Sequence, residues 1–321
     1  MTFSLNQEKL FVNNLCTGQK FIPKGERGKI KSRSTDEGHG QGAMAEEEIG
    51  FDEAAVGQKS KFLPSTEVNT LLPIAKPPWT KLGRKLESQC RKALYEFDLL
   101  DGADRLAIAL SGGKDSLTLL FLLHAILGHG FKKIPITAIH VGGEFSCGSG
   151  VNQNFLRQIC DGLDVEFVER TSTQKRETLS CYRCSRERRS LIFDAAKERG
   201  ITTIAFGHHR DDSIQTLLMN LLHKAEFAAN LPKVPMFDYG VTIIRPLIYI
   251  QESSIKEFAQ HHGFARILCQ CPVGQNSMRK QTEELLEELE EIFPNARENL
   301  ARASHTYGSN KAVEHHGSST E

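Results

Sequence analysis

Arg105-Leu106-Ala107-Ile108-Ala109-Leu110-Ser111-Gly112-Gly113-Lys114-Asp115-Ser116, running on into the apolar stretch Leu117–Leu127, sets the architecture of this chain. Arg105–Leu110 is a short continuous apolar run that ends in a glycine turn, which predicts a buried strand. Leu117–Leu127 is too short to cross a bilayer and predicts a buried helix. Between them, Ser111 to Ser116 combines two glycines, two hydroxyls and a lysine at a strand-to-helix junction. Glycines let the backbone approach an anion, and the helix N-terminus aims unpaired N–H groups and a partial positive charge at it. Lys114 adds a full charge, and Asp115 suits such a site if it holds Mg²⁺ or an orienting hydrogen bond. A plain turn with Ser and Asp as caps would need less than the complete hexapeptide. The segment also lacks the G-x-x-x-x-G-K-[ST] pattern of the Walker loop.

Outward from this unit the chain alternates strand-like and helix-like pieces. Ile134–Val141, Val165–Val168, Ile201–Phe206 and Val241–Ile244 are further β-branched or apolar runs. Lys81–Asp98, Gln153–Cys160, Ser185–Arg199 and Asp212–Leu222 are helical. This alternation predicts an α/β, Rossmann-like, doubly wound and mainly parallel sheet covered on both faces, with ligands beyond the carboxyl ends of its strands. The apolar signal is concentrated between Trp79 and Arg302. Residues 1–78 are rich in Gly, Lys, Glu and Ser, show no sustained period and end at Pro77-Pro78, so they are expected to be a disordered extension. Residues 79–303 form the expected catalytic domain and 304–321 a flexible tail.

Forty Lys plus Arg balance forty Asp plus Glu among 321 residues, so no whole-protein footprint for nucleic acid exists. A local one does: Lys175, Arg176, Arg183, Arg186, Arg188 and Arg189 are diluted only by Glu177 and Glu187. In isolation that would be the solvated face of an amphipathic helix. The N-terminus lacks the continuous apolar core of a signal peptide, because Asn6 to Lys9 interrupt it. A cytoplasmic protein with no membrane span is expected, and in that compartment clustered cysteines are better read as metal or redox groups than as disulfides.

Cys181-Tyr182-Arg183-Cys184 is placed just before the helix expected near Ser185, whose N-terminus would lower the thiol pKa values. Cys269-Gln270-Cys271 follows much later. A structural Cys₄ zinc site and a redox pair remain open on spacing alone. Cys16, Cys90, Cys147 and Cys160 read as incidental, Cys90 and Cys160 as small apolar residues on helices. Gly207-His208-His209-Arg210-Asp211-Asp212 follows the Ile201–Phe206 strand, at the same edge as the glycine-rich loop. Adjacent carboxylates can hold Mg²⁺ or accept protons, and imidazoles such as His208 can contact base or phosphate. The simpler reading has Asp211 or Asp212 as a helix N-cap. Arg245, before Pro246 at a strand end, is a further phosphate candidate.

Ser111–Ser116 resembles the PP-loop of the ATP pyrophosphatases, which cleave ATP between its α and β phosphates. Together with Cys181-x-x-Cys184-Ser185-Arg186-x-Arg188-Arg189, Gly207-His208-His209-Arg210-Asp211-Asp212-x-x-Gln215-Thr216-Leu217, Ile244-Arg245-Pro246-Leu247 and Cys271 before Gln275-Asn276, it is similar to the tRNA 2-thiocytidine sulfurtransferases over about Trp79 to Ala303. The resemblance implies ATP and Mg²⁺ at Ser111 to Ser116 and His208, with a catalytic role for Asp211 or Asp212. It further implies a [4Fe-4S] cluster on Cys181, Cys184 and Cys271, with one iron open, and Arg188 placed to balance charge on an adenylate. Its expected target is cytidine 32 of tRNA, with a sulfur donor such as a cysteine desulfurase as partner and a homodimer left open. The chain departs from the family in His140-Val141-Gly142-Gly143-Glu144 at the end of the second strand, where Leu-Asp is usual. It departs also at Cys147, in His223–Leu231 replacing a glycine-rich segment, and in C-x-C replacing C-x-x-C. Amide or lysine ligation with a structural zinc, and a non-catalytic nucleotide or redox sensor, are the alternatives.

Overall fold

The computed structural model describes residues 72–143, 153–174, 181–264 and 278–308, with the backbone alone for Cys181 and Tyr182. All belong to one compact unit. Eight helices, six strands and one 3₁₀ turn follow in order among them: α1 (Lys81–Glu96), β1 (Leu106–Ala109), α2 (Lys114–Ile126), β2 (Ile136–Gly142), α3 (Gln153–Asp161), β3 (Glu166–Thr171), α4 (Cys181–Lys197), β4 (Thr203–Ala205), α5 (Arg210–Lys224), β5 (Lys233–Met236), the 3₁₀ turn Phe237–Tyr239, β6 (Val241–Ile244), α6 (Glu252–His261), α7 (Met278–Ile292) and α8 (Ala296–Tyr307). None of the helices is long and apolar enough to cross a membrane.

The strands form one sheet in the order β3-β2-β1-β4-β6-β5. Every pairing is parallel except β5 with β6. The doubly wound α/β expectation is met, and the period of two along each strand explains how. Leu106, Ile108, Ala138, Ala205 and Ile244 face a core layer with α1, α2, α3 and α6. Their neighbours Ala107, Ile139, Ile204 and Ile243 face the other layer, where Ile192, Phe193, Ala195 and Ala196 of α4 pack. Burial on both faces makes these strands continuously apolar in sequence. Helix α2 is buried nearly all round, from Ser116 to Ile126. Ile214 and Leu218 of α5 pack instead on Leu286 of α7 and Ala301 of α8.

Ile108 of β1 is level with Ala205 of β4, and Ala205 with Ile244 of β6. The chain winds from β1 outward through β2 to β3 and then returns to the other side of β1 as β4. The carboxyl ends of β1 and β4 therefore flank the switch point, where the two flanking loops diverge and leave a crevice.

Candidate active site

The loop after β1 carries the phosphate-binding geometry. Gly112 sits at φ 82°, a left-handed conformation that a side chain would strain. Gly113 caps α2 without a side chain, so the first-turn N–H groups are left for a ligand. Ser116 Oγ donates to the Gly113 carbonyl at 3.0 Å and lies 3.1 Å from Ser111 Oγ, which holds the loop closed on itself. Lys114 Nζ is 3.1 Å from Asp115 Oδ2 and 3.0 Å from Glu252 Oε1. Burial works against the Lys114 charge, but Asp115 and Glu252 outweigh it and raise the pKa.

The turn between β4 and α5 rests directly on this loop. A Cβ on Gly207 would lie 3.0 Å from Ser116 N and 3.1 Å from the Asp115 carbonyl carbon, so any side chain there would push the loop backbone by a few tenths of an ångström. His209, buried, is the N-cap of α5, and Asp212 at N3 completes a capping box: His209 N donates to Asp212 Oδ2 at 3.1 Å. The simpler of the two readings of the sequence has Asp211 or Asp212 as the cap; the cap is the histidine, with Asp212 as its reciprocal partner. His209 Nε2 lies 3.7 Å from Asp115 Oδ1, which has no hydrogen-bond partner although buried.

Both carboxylates of the acidic pair have protein partners. Asp212 Oδ1 accepts from Arg279 of α7. Burial alone would raise the Asp212 carboxyl; His209, then Arg279 and His208, outweigh it and hold the pKa well below the carboxylate range. Asp211 Oδ2 accepts from the Glu252 backbone N–H at 2.8 Å, and Oδ1 is 3.4 Å from Arg297 of α8. Arg297 also bonds Glu283 and Glu290, and Gln215 donates to Glu283 at 2.7 Å. The pair thus ties the C-terminal helices to the sheet edge. Among the described residues no three His, Cys, Asp or Glu side chains gather as metal ligands. Mg²⁺ is ordinarily held by one or two carboxylates plus substrate phosphates, so Asp115, with its unpartnered oxygen beside the loop, is the carboxylate best placed for it.

Sequence reasoning missed Glu252, Arg279 and Arg297. No local signal marks them: each lies in an ordinary amphipathic helix, and only the tertiary partner gives it a role.

On the other side of the crevice, α4 begins four residues earlier than the sequence suggested. Cys181 opens the helix and Cys184 is buried at the end of its first turn, so the C-x-x-C lies within the helix rather than ahead of it. That first turn holds no acidic residue. Cys271, Cys269, Cys147, Lys175 and Arg176 lie outside the described residues, as does the side chain of Cys181. Cys90 and Cys160 are fully buried on α1 and α3, and burial pushes both thiols up to about 12, as expected of inert core cysteines.

Several buried polar atoms at this edge have no hydrogen-bond partner: Arg188 Nε, His208 Nδ1, Arg245 Nε and Arg279 Nε, together with Asp115 Oδ1. His208 stacks on Phe206 with ring centroids 5.8 Å apart. Burial, then the Arg245 charge, lowers its pKa to about 3, so the imidazole is neutral near pH 7. At the end of β2, His140 is fully buried and donates through Nδ1 to the Leu110 carbonyl at 2.8 Å, bracing the strand that leads into the loop.

A mainly parallel sheet with this glycine-rich loop after its first strand is the PP-loop class, and the family model described as the PP-loop domain matches residues 82–267. A tRNA-cytidine(32) 2-sulfurtransferase of Stenotrophomonas maltophilia (strain R551-3) is 35% identical over 242 residues, covering 72% of this chain and 79% of its own. One from Syntrophotalea carbinolica is 32% identical over 230 residues, covering 70% and 89%. Among solved structures, a U34-tRNA thiolase, NcsA from Methanococcus maripaludis with its [4Fe-4S] cluster, aligns with a TM-score of 0.56 at 23% identity, over 70% of this chain and 78% of that one. The chain belongs to the PP-loop family and, within it, to the tRNA 2-thiocytidine sulfurtransferases.

Proposed function

We propose that this enzyme thiolates C2 of a cytidine in tRNA, at position 32, by way of an adenylated base. The observation that carries the reading is one of placement. An anion loop with open N–H donors, the unpartnered Asp115 oxygen and the buried Cys184 of an acid-free first turn all stand at the carboxyl edge of one sheet.

The chemistry follows from the leaving group. The C2 oxygen of cytosine does not depart as hydroxide near neutral pH. Its attack on the α-phosphate of ATP forms the C2–O–P bond and breaks the bond to pyrophosphate. Hydrosulfide then adds at C2, and the C2–O bond breaks with AMP as leaving group. The Ser111–Ser116 loop and Lys114 take the charge that gathers on pyrophosphate, Asp115 would hold Mg²⁺, and Arg188 would face the adenylate. Asp211 and Asp212 contribute by fixing the β4–α5 turn against the loop. Cys181, Cys184 and Cys271 would hold a [4Fe-4S] cluster, the first two from the acid-free first turn of α4. Such a cluster, when bound, would supply the hydrosulfide. The target base must leave its stack to reach the crevice, which a loop nucleotide does at least cost.

Residues 79–303 would be the catalytic unit, with 1–78 and 304–321 as appendages, acting in the cytoplasm with a sulfur donor such as a cysteine desulfurase. The test is mass spectrometry of tRNA nucleosides from a deletion strain, where 2-thiocytidine is expected to disappear. Its persistence would reject the assignment. Anaerobically purified protein should hold iron and acid-labile sulfide; stoichiometric zinc instead would favour a ligase with a structural metal.

A further inference from the structure

The guanidinium of Arg245, at the end of β6, is only 3% exposed, yet its hydrogen bond is to a backbone carbonyl, that of Leu231, and its Nε has no partner. Arg189 of α4 is half-buried and makes no ion pair among the described residues. The two repel each other: burial, then Arg189, pulls the Arg245 pKa down to about 9, and burial also lowers that of Arg189. The carboxylate acting on Arg245 is that of Asp212, already engaged by Arg279 and by the His209 backbone. His208, within the field of Arg245, Arg279 and Arg189, is neutral and adds a buried, unpartnered Nδ1. Burying cations without carboxylates costs several kcal/mol per charge (order of magnitude) unless an anion offsets it. Among the described residues, Asp212 is thus the one carboxylate acting on this pair of cations, and it is shared with Arg279.

We infer that Arg189, Arg245 and His208 form a second anion site, separate from the glycine-rich loop, that grips a phosphodiester of the RNA next to the nucleotide being modified. Position argues for RNA over the phosphates of ATP. The loop follows β1 and Arg245 follows β6, with β4 between them, which sets the two about 10 Å apart at the usual strand spacing. The site therefore lies on the far side of β4 from the loop. Arg186 and Arg183 are exposed one and two turns nearer the start of α4, and the three-residue spacing from each to the next makes one basic stripe from surface to interior. A polyanion can use such a track; a mononucleotide has no need of it.

The inference rests on the tRNA reading and is tested with the full-length protein, Mg-ATP and an anticodon stem-loop RNA. Arg245→Gln and Arg189→Gln should each weaken RNA binding about tenfold and reduce the slope of log K against log salt by about 1. Affinity for Mg-ATP should stay within about twofold, and the RNA-free Tm should hold or rise because a repelling buried charge is gone. In the wild type, a neutral methylphosphonate at one linkage beside the target should cost a similar factor, and in Arg245→Gln it should cost nothing further. Loss of ATP affinity with RNA binding intact would assign the site to the nucleotide and overturn the proposal. So would a Tm drop of several degrees, or a wild-type scan in which no linkage matters, a measurement that needs no variant to fold. If the coupling is found but tRNA triggers neither pyrophosphate release nor thiolation, the reaction falls and the site stands; the reverse result removes the site alone.

Discussion

The two edges of the sheet make an instructive contrast. At the amino edge lies a cavity of about 970 Å³ lined by Arg105, His124, Ile136, Thr137, Leu163 and Glu166 among others. Several of its polar groups are occupied: Glu166 accepts from Arg199 at 2.9 Å and from Thr137 at 2.9 Å, and His124 Nε2 donates to the Leu163 carbonyl at 2.9 Å. At the carboxyl edge, by contrast, buried atoms of Asp115, Arg188, His208, Arg245 and Arg279 go without partners. Buried polar groups are normally satisfied, and each exception calls for an explanation. A cavity by itself does not mark the functional end of this molecule. Unmet hydrogen-bonding capacity marks the right one.

Variants at the two edges put that contrast at risk. Lys114→Ala should carry the largest effect, a fall in kcat of about 10²–10³-fold with the fold intact by circular dichroism, as expected for a group stabilising charge on the transferred phosphate. A near-normal rate would remove the loop from the chemistry. Gly207→Ala comes next. Its Cβ would strike the backbone of Ser116 and Asp115, so KM for ATP should rise about tenfold with a stability loss of about 1–3 kcal/mol.

Asp212→Asn separates bracing from catalysis. It weakens the Arg279 pair and the capping box, and because both side chains keep some solvent contact the expected loss is about 2 kcal/mol by urea unfolding. A silent unfolding curve with a large loss of rate would return Asp212 to a direct chemical role. The depressed Asp212 pKa also means that its stabilisation, present above the ordinary carboxylate value, is lost as pH falls through and below it.

His208 gives a finer test through pH. Its pKa falls from 6.5 in the unfolded chain to about 3 in the fold, so below 6.5 the unfolded state takes up a proton that the folded state refuses. Stability is therefore fully present above 6.5 and declines as pH falls toward 3. His208→Gln should flatten the dependence of Tm on pH across that window; an unchanged slope would mean that His208 is not buried neutral. The smallest effect belongs to the amino edge. Glu166→Gln, on an exposed ion pair, should shift stability by no more than about 0.5 kcal/mol and leave thiolation unaltered. A lost activity there would erase the distinction between the edges.

Much of the fold was legible along the chain because its signals are local. The β6 boundaries Val241–Ile244 came directly from the apolar run, and those of β1, α1 and α3 came within two residues. β5 did not, since Pro235 at its centre argues against a strand; it survives as the antiparallel edge, where one N–H can be spared. The start of α4 was set too late because Cys-Tyr-Arg-Cys has no strong helical preference of its own. Helices α6, α7 and α8 went unread. Yet α7 and α8 supply the arginines that hold Asp211 and Asp212.

By itself the sequence determined the doubly wound class, the anion loop at Ser111–Ser116 and the family, because periodicity and short glycine-rich patterns are written in neighbouring residues. Which carboxylate oxygens are engaged and which is left without a partner, and which guanidiniums share a single carboxylate, was decided only by the tertiary structure. Those properties depend on charges from β4, β6, α4 and α7 meeting across a sheet whose strand order no single stretch encodes. Burial then sets how strongly each charge is felt.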